Sequence, residues 1–87
     1  MVNKEFIEFN NKFRKKLISL YEIYIENPKS KLVIASAREL CGLNNFIFSE
    51  DVSIGLSNCY DIIENILTIE RAKEILKELK KEEIEDK

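Results

Sequence analysis

The sequence predicts an all-α fold, an antiparallel bundle of three or four helices. Apolar residues recur every three or four positions over most of the chain, which lines them up on one side of a helix. Two glycines and one proline are too few for a β protein, which needs a turn every ~8–12 residues. An apolar content of 45% with 34% charged residues suits a globular domain and argues against wholesale disorder. At 87 residues the chain holds one domain, read as 1–81, followed by a charged tail, 82–87, that is expected to fray. A chain this short buries only about 60% of its unfolded surface. A second copy would bury more, so a homodimer is expected.

The first helix covers residues 3–26. Phe6, Phe9, Phe13, Leu17, Leu20 and Tyr24 form its apolar stripe, while Lys4, Glu8, Lys12, Lys15, Glu22 and Glu26 occupy the other side. Asn27-Pro28 reads as the cap and first position of a second helix that runs to Cys41, with Ser30 as a rival cap. Gly42 is placed as the left-handed residue after its end. The centre of that helix, Leu32 to Ala37, is apolar all round except for Ser36, which places the helix centrally. Leu-Val-Ile also has β character, so a strand at 31–36 is its rival. Residues 46–48, Phe-Ile-Phe, plug the core end or form a short strand.

Ser49 caps a third helix over about 50–67, with Glu50 and Asp51 in the first turn where the helix dipole favours carboxylates. Val52, Leu56, Cys59, Ile63 and Ile66 form its stripe. Thr68 either caps a fourth helix or lies within a continuous one; Ile69, Ala72, Leu76 and Leu79 form a narrow seam there. The core is expected to include Phe9, Phe13, Leu17, Leu20, Val33, Ala37, Leu40, Leu56, Ile63 and Ile66.

Composition excludes several chemistries. The chain has no histidine, and Cys41 and Cys59 form no CxxC pair, so a zinc site is unsupported and the cysteines read as small buried thiols, with a single Cys41–Cys59 bridge as the alternative. Asp61 and Glu64 share one helix side, without the loop that a hard cation requires, and read as a solvated stripe. Ser36, Ser53 and Ser57 have no base to activate them, and Gly42 and Gly55 form no phosphate loop. No enzyme, metal or cofactor is expected. Met1 to Phe13 lacks the apolar run of a signal peptide, and nothing approaches the ~18 apolar residues of a membrane span, so a cytoplasmic protein is expected.

Charge is segregated along the chain. Residues 1–31 carry +3, residues 32–66 carry −4 and residues 67–87 carry −1, for a net −2. The stretch RELCGL, residues 38–43, resembles the first helix and turn of DNA-binding helix-turn-helix units. Its following helix would be the reader, yet that helix opens with Glu50 and Asp51, and residues 49–66 hold no lysine or arginine. Phosphate neutralisation supplies most non-specific DNA affinity, so a nucleic-acid regulator stands only as an alternative. The remaining candidate surfaces are Lys12, Lys15 and Lys16 on the first helix and the Ile69, Ala72, Leu76 and Leu79 seam. Both suit another protein as partner. The expected function is a small non-enzymatic regulatory or inhibitory module that binds protein. In size, helical layout and charged tail the chain is similar to small cytosolic bacteriocin-immunity proteins, which implies an immunity-type alternative. That likeness is one of layout and carries no functional residue over.

Overall fold

The computed structural model describes residues 4–43 and 48–81. It is an all-α helical bundle, with α1 at Lys4–Glu26, α2 at Lys31–Leu40, α3 at Glu50–Ser57, α4 at Cys59–Ile63 and α5 at Ile69–Lys81. No strand occurs among the described residues. Phe48 is irregular and buried, whereas the rest of the expected plug or strand, Phe46 and Ile47, lies outside the described residues. The tail 82–87 lies outside them as well.

The first helix is the organising element, a place the sequence pattern assigned to the second. α1 packs against α2, α3 and α5. Its buried row is Asn10, Phe13, Arg14, Leu17, Leu20, Tyr21 and Tyr24, which repeats at helical spacing. Both tyrosines carry a hydroxyl into the core, and each finds a backbone acceptor. Tyr21 donates to the Gly55 carbonyl at 2.9 Å and Tyr24 to the Leu67 carbonyl at 2.6 Å. Burial pushes both phenols above their ordinary pKa, because the charged form would lose its water. Gly55 lets α3 sit close to α1: a Cβ there would lie 3.0 Å from Leu17 Cδ1.

By contrast α2 buries only one side, through Val33, Ala37 and Leu40. Leu32 stays 61% exposed and Ala35 is also exposed, so the apolar run is not a central rod. Its start belongs to Ser30, whose Oγ accepts from the Leu32 amide at 3.2 Å. Asn27 and Pro28 instead form the turn that precedes it, closed by the Ser30 amide on the Asn27 carbonyl at 3.1 Å. Gly42 does not take the left-handed conformation; among the described residues Asn65 does, at φ 57°.

The expected long third helix divides at Asn58. The Asn58 side chain donates to the Ile54 carbonyl at 2.9 Å, and its own amide donates there as well, at 3.1 Å. Such local bonding offers the backbone an alternative to helix continuation. The apolar phase shifts across this break, so Ile62 is fully buried and Ile63 only partly. The chain then leaves α4 through Asn65: its amide bonds the Ile62 carbonyl at 3.0 Å and the Ile66 amide bonds the Asp61 carbonyl at 2.9 Å. This paired closure with a left-handed residue ends a helix firmly. Ile66, expected in the core, is therefore in the connection and 67% exposed. Phe9, also expected inside, is 37% exposed. Thr68 does cap α5, accepting from the Arg71 amide at 3.1 Å.

These burials set a test. Leu17 has no exposed surface, so Leu17→Ala is expected to cost about 2–5 kcal/mol and to lower the thermal midpoint by ~10 °C or more. Leu32→Ala, at an exposed position, is expected to change stability by less than ~0.5 kcal/mol. Melting curves followed by circular dichroism compare the two.

Candidate functional site: a basic patch beside a buried ion pair

The run Lys12-Phe13-Arg14-Lys15-Lys16 sends its five side chains in different directions, and the structure separates their roles. Arg14 turns inward and is 1% exposed. Its guanidinium meets Asp51, at the start of α3, in a two-pronged contact. Nη1 lies 2.7 Å from Oδ2 and Nη2 lies 3.2 Å from Oδ1. Ser49 completes the arrangement. Its Oγ accepts from Arg14 Nη2 at 3.1 Å and from Asn10 Nδ2 at 3.1 Å, and donates to Asp51 Oδ1 at 2.5 Å. The Ser49 amide in turn donates to Asn10 Oδ1 at 2.9 Å. Ser49 is thus the N-cap residue of α3, but its hydroxyl serves this network and makes no cap bond to the helix. A charge buried away from water is tolerated only with such partners. The four residues fasten the N-terminus of α3 to the N-terminal half of α1.

Lys12, Lys15 and Lys16 are exposed, as the sequence suggested. Their setting is aromatic. Lys12 Nζ lies 5.8 Å and Lys16 Nζ 5.4 Å from the centroid of the Phe13 ring, within cation–π range. Phe13 meets Phe9 edge-on at 4.7 Å and Phe48 edge-on at 5.8 Å, while Phe9 and Phe48 stack at 5.4 Å. Two ammonium groups thus lie over a ring that packs against two other aromatics. Lys16 also lines a groove of about 280 Å³ between α1 and α2, with Ile23 and Leu32 along its length and Glu39 beside them.

The α5 seam behaves otherwise. Ala72 and Leu79 retain no exposed surface, and Ile69 and Leu76 pack partly against the core. Ile75, outside the expected seam, is buried with them. The surface the pattern offered to a partner is taken by the chain's own core, because α5 must cover both α1 and α3. A second groove, of about 490 Å³, separates α3 from α5. It is lined by Glu50, Asp51, Glu74 and Glu78 against Arg71 and Lys77, with Ile54 and Ile75 between them.

The groups with displaced pKa values lie in the core. Burial pushes the Cys59 thiol up to about 12, helped by the charge of Cys41, and the thiol donates to the Gly55 carbonyl at 3.5 Å. Cys41 is half-buried, with its thiol 3.3 Å from the Arg38 carbonyl; both cysteines are free. Asp61 is half-buried and Glu64 exposed. Among the described residues no group of three or more His, Cys, Asp or Glu is placed to hold a metal ion. No described helix is long and apolar enough to cross a membrane. Comparison with protein-family models, curated proteins and solved structures finds no match for this chain.

Arg14→Met or Asp51→Leu alone leaves its partner buried without a countercharge. Each is expected to cost about 3–5 kcal/mol, whereas the pair Arg14→Met with Asp51→Leu is expected to lie within ~1 kcal/mol of the parent. Urea denaturation of the four chains measures the coupling. The two thiols should separate as well: at pH 8 a disulfide reagent is expected to modify Cys41 in the folded chain and Cys59 only after unfolding. Thiol counts with and without denaturant check this.

Proposed function

We propose that the protein is a small non-enzymatic module, regulatory or inhibitory in effect, that binds an acidic surface of another protein through Lys12, Lys15 and Lys16. The observation that carries this reading is the pair of ammonium groups placed over the Phe13 ring. Flexible lysines lose rotamer freedom on binding, and a cation already held over an aromatic face has part of that cost removed. The groove that starts at Lys16 and passes Ile23 and the exposed Leu32 adds an apolar strip beside the charges. Charge steers the encounter, and apolar contact next to it supplies duration.

A binding role also fits the location of the chemically perturbed groups. Tyr21 and Cys59 have no exposed surface and spend their hydrogens on backbone carbonyls. A nucleic-acid partner suits the surface less well. Glu22 and Glu26 are exposed on the same helix as the patch, and Glu50, Glu74 and Glu78 edge the other groove. A polyphosphate tracking along the bundle would meet these carboxylates after one turn of contact.

The test begins with affinity capture from native-host extract, using the parent chain and the triple variant Lys12→Glu, Lys15→Glu, Lys16→Glu. A captured protein is then purified and its affinity for both chains measured by calorimetry. The triple reversal is expected to weaken binding by about tenfold or more, since like charges across an interface cost several kcal/mol. Circular dichroism should be unchanged, as all three side chains are exposed. Equal affinity of both chains for the partner contradicts the assignment. So does steeply salt-dependent capture of DNA, RNA or anionic vesicles in place of protein.

A further inference from the structure

We propose that the groove between α1 and α2 receives a second copy of this chain, with α1 of each copy lying along α2 of the other about a two-fold axis parallel to the helices. The pairing is separate from the binding role proposed above and does not depend on it.

The two walls of the groove match. The turn at 27–30 sends α2 back along α1, so Lys16 and Glu39 line one end of the groove and Ile23 and Leu32 the other. Ser19 and Ser36 lie between them. Along α1 the order is Lys16, Ser19, Ile23, in steps of three and four. Read backwards along α2 it is Glu39, Ser36, Leu32, in the same steps. Each series runs ~10.5 Å and returns to nearly the same azimuth. The walls thus carry opposite charges at one end, small hydroxyls in the middle and branched apolar side chains at the other end.

A two-fold axis along the groove sets α1 of one copy opposite α2 of the other at the same height. Lys16 then meets Glu39 of the second copy, Ser19 meets its Ser36 and Ile23 meets its Leu32, and the symmetry repeats each contact. Lys16 and Glu39 are exposed, and among the described residues they form no ion pair with each other. The exposed Leu32 gains apolar cover, and the serines allow the helices to approach. Turning the second copy end for end would instead set Lys16 on its Ile23 and Glu39 on its Leu32, which strips water from unpaired charges. The face is small, on the order of 300 Å² in outline per copy against ~800 Å² for a stable interface, so the dimer is expected to dissociate at about 0.1–1 mM.

The experiment compares the full-length parent, Lys16→Glu, Glu39→Lys and an equimolar mixture of the two variants across that concentration range. Sedimentation equilibrium reads the association, and amide chemical shifts read the face. The parent is expected to dimerise with concentration-dependent shifts confined to residues 16–23 and 32–39. Either reversal alone sets like charges together at two symmetric contacts and should weaken the dimer about tenfold. Both side chains are exposed, so circular dichroism should not change. In the mixture the two introduced charges face each other while the native Lys16 and Glu39 still pair, and association should return to within about twofold of the parent. A parent that stays monomeric throughout, or shifts centred on α3 and α5, overturns the proposal. A mixture that associates no better than its separate components overturns the two-fold pairing.

Discussion

Arg14 must be neutralised before this chain can close. Its guanidinium sits on the buried row of the longest helix, where water cannot reach it, and the charge can remain only if a carboxylate arrives with it. Asp51 is that carboxylate, and it stands in the first turn of α3, 37 residues away. Satisfying the pair thus fixes which end of α3 meets which end of α1. The neighbouring contacts agree with that placement, since Gly55, one turn beyond Asp51, rests against Leu17, one turn beyond Arg14, and accepts the hydroxyl of Tyr21, two turns beyond it. With α3 seated, α4 carries Cys59 and Ile62 into the core, and α5 closes over α1 and α3. A buried ion pair is weak as a source of stability compared with apolar packing, but it penalises wrong registers heavily.

The helical class was legible because Phe13, Leu17, Leu20 and Tyr24 repeat with the right period, and the Thr68 cap was legible from residue type. Three features were hidden for physical reasons. The break at Asn58 comes from a side-chain amide bonding the carbonyl four residues back, an event that leaves the apolar spacing almost intact. The left-handed position fell to Asn65 because asparagine tolerates that conformation nearly as well as the glycine expected at 42. The seam at Ile69, Ala72, Leu76 and Leu79 has the pattern of any one-sided helix, and pattern alone does not say whether the covering surface is internal. Arg14 could have been found. It lies in step with Asn10, Leu17, Tyr21 and Tyr24, and a charge on an apolar stripe implies a buried partner.

The basic run at residues 12–16 shows how neighbouring cations acquire separate work from helical geometry. One residue's rotation of 100° carries Arg14 inside while Lys12, Lys15 and Lys16 remain in solvent. Phe13 joins the two halves, since its ring packs on Phe9 and Phe48 and lies under two of the ammonium groups. The interior thus determines how the exterior charges are presented. A patch supported in this way offers a partner positioned cations.

The seating of α3 on α1 depends on Arg14 being held by Asp51 inside the folded protein. Nuclear magnetic resonance of the arginine side chain reads this directly. Arg14 is expected to show distinct Nη proton signals that exchange slowly with water and lie close to the Asp51 carboxyl carbon. A single averaged guanidinium signal with rapid water exchange, like that of a surface arginine, would contradict it.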